Sequence, residues 1–135
     1  MSRENPQFDH ERLDVYWLAI DFVAWVSKLI RGLDGYARYA RDQLLRSSQS
    51  IPQNIAEGNA KRQGAERRRY FEIARGSTTE SAATLDVLVA LGAAPSAEAD
   101  KGKQLARRIV EMLVKLAPPD VESITRTRTK NENEL

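Results

Sequence analysis

Apolar residues recur at helical spacing along four long segments, and nowhere does the chain alternate long enough to suggest a strand. Breakers at 31–34, 58–64 and 92–96 leave connections of a few residues, short enough to make successive helices antiparallel. The pattern predicts an all-α chain: an antiparallel up-down-up-down four-helix bundle over residues 11–117. Residues 1–10 read as a flexible N-terminal arm, and residues 118–135, opening on Pro118-Pro119, as a disordered C-terminal tail. The 135 residues suffice for one domain with one core.

The first predicted helix, Glu11 to Arg31, is the most apolar. Between Leu13 and Ile30 only Asp14, Asp21, Ser27 and Lys28 are not apolar, more than one face of a bundle helix uses. Leu13, Tyr16, Ile20, Val23, Ser27 and Ile30 form one seam; Leu18, Phe22, Trp25 and Leu29 form a second. With the first seam in the core, the second exposes large side chains, each worth about 1.5–3 kcal/mol when buried. Leu18, Phe22, Trp25 and Leu29 are therefore expected to form a homo-oligomer interface. Two Asp and a Lys at heptad intervals argue against a membrane span, so no membrane partner is expected.

Helices two (Tyr36 to Gly58) and three (Ala65 to Leu91) share a small, polar waist: Ser47-Ser48-Gln49-Ser50 in one, Ala74 to Thr84 in the other. Pro52 should kink or break helix two, because it cannot donate to the Ser48 carbonyl. Gly76 costs helix about 1 kcal/mol relative to Ala, which predicts a compensating close approach of backbones. A hairpin about residue 62 or 63 pairs positions whose numbers sum to roughly 125. That brings Ser48 to Gly76 or Ser77, Arg46 to Glu80, and Glu57 to Arg67 or Arg68. Arg46, Asn54, Glu57, Arg75 and Glu80 read as a structural polar network. Helix four, Ala97 to Ala117, sets Leu105, Ile109, Met112 and Leu116 inward, with Ser96 as its expected N-cap.

Composition narrows the chemistry. There is no Cys, hence no thiolate nucleophile or sulfur-ligated metal, and one His, His10, hence no triad and no histidine-rich zinc site. Glycines stand singly, without a phosphate loop. No enzyme, cofactor, metal or small-molecule substrate is expected; an enzyme would have to draw on Glu57, Glu80 and Arg75 around a solvent-reached pocket. The N-terminus lacks an export pattern, so a cytoplasmic location is expected.

With 21 Lys and Arg against 19 Asp and Glu, the net charge of +2 favours no polyanion. Locally the balance differs. Lys61, Arg62, Arg67, Arg68, Arg69 and Arg75 face only Glu66 and Glu72 between residues 61 and 75. Three arginines at a helix start oppose the macrodipole, which prefers anions there, so phosphate is the expected ligand of this patch. Tyr70 within it is a candidate for stacking on a base. The expected partners are ribosomal RNA or another nucleic acid; the alternative is an oligomeric scaffold with no nucleic-acid ligand.

Two stretches carry a family resemblance: Gln43-Leu44-Leu45-Arg46-Ser47-Ser48-Gln49-Ser50-Ile51-Pro52-Gln53-Asn54-Ile55-Ala56-Glu57-Gly58 and Tyr70-Phe71-Glu72-Ile73-Ala74-Arg75-Gly76-Ser77-Thr78-Thr79-Glu80. They resemble the four-helix-bundle family encoded in intervening sequences of bacterial 23S ribosomal RNA genes. They are also similar to accessory proteins of diversity-generating retroelements. The resemblance covers roughly Leu13 to Gly92 and implies a cytosolic, non-enzymatic bundle assembled as a homopentameric ring, with nucleic acid as ligand and no catalytic residues.

Overall fold

The computed structural model describes residues 4–33 and 35–118, so the predicted tail beyond Pro118 lies outside the described residues. Four helices account for most of them: α1 (Asp14–Arg31), α2 (Arg38–Ala60), α3 (Gly64–Ala90) and α4 (Ser96–Leu116). Among the described residues there is no strand. Each helix packs on its neighbours in sequence, and α1 closes on α4. Along the α2–α3 contact Ser47 meets Ser81 and Ser50 meets Ser77, one number rising as the other falls, so the pair is antiparallel.

Both seams of α1 contribute to the core: Ile30 of the first is buried, with Leu13 and Tyr16 packed against it, and the second enters it as well. Phe22 is fully buried and Leu18 nearly so, while Trp25 and Leu29 are half-buried against the core of the same chain. Leu18 and Phe22, expected at a subunit interface, are thus taken by the protomer's own core, while Trp25 and Leu29 are half-buried like Tyr16, Ile20 and Val23. Small residues on α4 make room for Trp25. Ala99, Gly102 and Ala106 make a shallow stripe, and a Cβ on Gly102 would lie 2.4 Å from the Trp25 ring. The indole fills the space that a side chain at 102 would need.

Gly58 plays the same part between α2 and α3: a Cβ there would stand 3.0 Å from Tyr70 Cβ and 3.1 Å from the Phe71 ring. Gly76, where close approach was expected, is exposed with open space around it. Pro52 neither breaks α2 nor ends it; the helix is assigned continuously through that buried residue. Ser96 is the first residue of α4, preceded by Pro95 at the cap position, with no side-chain cap bond. α3 ends in a Schellman turn: Gly92, at φ 72°, donates to Val89 O, and Ala93 donates to Leu88 O, both at 2.9 Å. Between α3 and α4, the Asp86 carboxylate accepts a 2.8 Å hydrogen bond from Lys103, holding that ammonium above the ordinary lysine range.

The arm before residue 11 also differs from expectation. Asp9–Arg12 form a 3-10 turn against α2, where Asn59 donates to the Asp9 carboxylate at 2.8 Å. Half-buried His10 sets its ring edge-on to Tyr16 at 4.6 Å, so the boundary expected at residue 10 falls inside a packed turn.

Candidate nucleic-acid interface

The waist of the α2–α3 hairpin is a ladder of hydroxyls. The Ser47 and Ser81 hydroxyls lie 2.7 Å apart, and each also reaches a carbonyl of its own helix, Leu44 O at 3.3 Å and Ser77 O at 2.9 Å. Ser50 and Ser77 lie 2.9 Å apart, and the Asn54 amide donates to both the Ser50 carbonyl and hydroxyl. Thr78, fully buried, donates to Ala74 O at 2.7 Å. Among the described residues, every buried side-chain N or O has a partner. The pairs sum to 127 or 128 rather than 125, a register step that brings Ser77 to Ser50 instead of Ser48.

Of the expected polar network only Asn54 belongs to this ladder. Arg46, Glu57 and Glu80 are exposed, and Arg75 is half-buried with its carbonyl accepting from Thr79. Glu57 instead pairs along its own helix with Lys61 at 3.5 Å. The reason is steric: serines let α2 and α3 approach closely, and the larger charged side chains are left on the outside.

All of the cations expected to bind nucleic acid except Arg75, which lies further along α3, are where α2 ends and α3 begins, and they divide into two sets. Arg67 Nη1 donates to the Asn59 carbonyl and side-chain oxygen, each at 3.3 Å, and its guanidinium lies 4.8 Å over the Phe71 ring. A cation at the carbonyl end of α2 is favoured by that helix's dipole. Arg67 therefore serves α2 although it belongs to the first turn of α3, and this relieves part of the conflict that three arginines create there. Lys61 sits 5.3 Å over the Tyr70 ring. That ring, a candidate for stacking on a base, is half-buried with an ammonium on its face. Arg62 and Arg69 are exposed, and Arg68 and Arg75 half-buried. Asn59, which holds both Arg67 and Asp9, carried no chemical motif in the sequence; its one signal is its place after Gly58 at a helix end.

Among the described residues no cluster of three acidic or imidazole side chains could hold a metal ion, and no helix is long and apolar enough to cross a membrane.

No curated protein matches this chain. A solved structure matches with a TM-score of 0.72 at 20% identity, covering 78% of this chain and 99% of its own: a protein of unknown function from the S23 ribosomal protein family of Bacteroides thetaiotaomicron. At that identity the likeness establishes the shared fold. The profile of the 23S rRNA-intervening sequence proteins matches residues 11–115, the whole four-helix unit. The chain belongs to the 23S rRNA-intervening sequence protein family.

Proposed function

We propose that this protein is a non-enzymatic, homo-oligomeric bundle that binds ribosomal RNA or another nucleic acid at the α2–α3 corner. The observation that carries the reading is the division of cations there. Lys61 and Arg67 are committed to ring faces and the end of α2, while Arg62 and Arg69 project into solvent. Exposed arginines without a groove-reading element supply affinity through phosphates more than sequence readout. An oligomer multiplies the corner by its symmetry and joins separate patches into one basic surface; the family resemblance favours a pentameric ring. With the Leu18–Phe22 seam inside the protomer, the subunit contact on this reading moves to the half-buried strip of Tyr16, Ile20 and Val23, which borders Pro52 and Ala56 of α2. A cytoplasmic location follows if the ligand is ribosomal RNA.

The competing reading, a scaffold that binds protein alone, draws on the exposed Ile73, Val87 and Leu91 of the α3 region. Titrating nuclease-treated protein onto a structured ribosomal RNA fragment at several salt concentrations separates the two. Nucleic-acid binding gives affinity that falls linearly with salt on logarithmic axes. No binding at low salt, with the oligomer intact, favours the scaffold.

A further inference from the structure

Where α1 ends and α4 begins, the two helices part around a cleft of about 480 Å³. Its floor is apolar, with Trp25, Leu29 and Leu33 each half-buried. Ala93 and Pro95, from the turn between α3 and α4, form the other wall and are too small to cover that floor. Sites for small ligands have this size and this make-up, mostly apolar with a few polar groups that orient the ligand.

The polar groups here are donors. Trp25 sets the benzo edge of its indole against Gly102, so the pyrrole edge, which carries the N–H, faces away from that contact. The two indoles of the chain then differ. Trp17 Nε1 donates to Glu11 O at 2.8 Å, whereas among the described residues no acceptor meets the Trp25 N–H, which stays within reach of solvent. An indole N–H at a partly apolar site usually has a partner. Lys28, at the rim, is exposed and among the described residues forms no ion pair. Lys101, also at the rim, is held by Glu98 at 3.0 Å, so one positive charge is left over.

We propose that this cleft binds a small monocarboxylate with an apolar body: the carboxylate accepts from Lys28 and the Trp25 N–H, and the body covers Leu29 and Leu33. One uncompensated ammonium matches one carboxylate, and a charge-assisted contact of that kind is stronger than a neutral one. A polyanion fits poorly, because its further charges would meet Glu98 and the apolar floor. The cleft lies at the end of the bundle where α1 leads into α2, away from the corner where α2 ends, and the inference does not depend on the nucleic-acid reading.

The test follows the two indole N–H signals in proton–nitrogen correlation spectra while phenylbutyrate, or its uncharged amide phenylbutyramide, is titrated into the full chain. Trp25→Phe assigns the signals by removing one, and melting by circular dichroism checks that each variant folds. With phenylbutyrate the Trp25 signal should move saturably, with a dissociation constant of about 1 mM or tighter, while the Trp17 signal stays in place. The amide should bind about tenfold more weakly, as should phenylbutyrate to Lys28→Gln, whereas Lys115→Gln should bind like wild type. A Trp25 signal that stays in place at millimolar phenylbutyrate overturns the proposal. So does an amide that binds as tightly as the acid, or a Lys28→Gln variant with wild-type affinity.

Discussion

Trp25 of α1 occupies the space a side chain at Gly102 of α4 would fill: a Cβ there would stand 2.4 Å from two ring carbons and 2.9 Å from Leu85. The contact seats the Trp25 edge of α1 against α4. Gly102→Ala adds one methyl to a site with no room, and overpacking of that kind costs about 1–3 kcal/mol. Urea unfolding should show a lower midpoint with an unchanged slope. An unchanged midpoint would mean that the indole moves aside at little cost.

The hydroxyl ladder couples α2 to α3. Ser47→Ala takes the hydroxyl partner from the buried Ser81 and should destabilise by about 1 kcal/mol. Removing both hydroxyls should cost less than the sum of the single changes, because neither partner is then left unsatisfied. A double-mutant cycle on Ser47 and Ser81 measures that difference, and strict additivity would show the pair to be uncoupled.

Arg67 and Arg69 sit in the same run yet should behave oppositely. Arg67→Ala removes the donor to Asn59 and the cation over Phe71, for an expected loss of about 1 kcal/mol. Arg69→Ala changes an exposed side chain and should stay within about 0.5 kcal/mol of wild type. Thermal or urea unfolding of the two variants side by side checks this.

Self-association on the outer strip of α1 predicts that Ile20→Asp lowers the solution mass measured by light scattering without unfolding the protomer. Trp25→Asp would not serve the same purpose, since it strikes the contact with Gly102. A monomeric wild type at micromolar concentration would remove the oligomer from the account.

How much of this was legible in the sequence depends on the size of the side chains involved. The four helices follow from large apolar residues at helical spacing, and their expected ends lie within three residues of those observed. The burial of Leu18 and Phe22 within the protomer was not legible, because both seams carry large apolar residues and Ala99, Gly102 and Ala106, which make room on α4, carry too little apolar weight to mark a face. The serine waist was visible as composition, but the step from 125 to 127 or 128 arises from three-dimensional packing that numbering about a turn does not contain. Pro52 shows the reverse: a strong local signal for a break was overridden by burial of the surrounding helix. At the corner, charge shows where cations concentrate along the chain, but only the folded contacts of Asn59, Tyr70 and Phe71 separate cations that hold the structure from those that face water.

The central claim is that Arg62 and Arg69 neutralise phosphates, and the salt dependence of binding tests it most directly. Wild type and the double variant of Arg62 and Arg69 to Ala are titrated with the same single-stranded ribosomal RNA fragment over a series of salt concentrations. Each phosphate that an arginine no longer neutralises takes about 0.7 from the slope of log affinity against log salt, so the double variant should be shallower by about 1.4 per protomer engaged. Slopes that coincide would contradict the account.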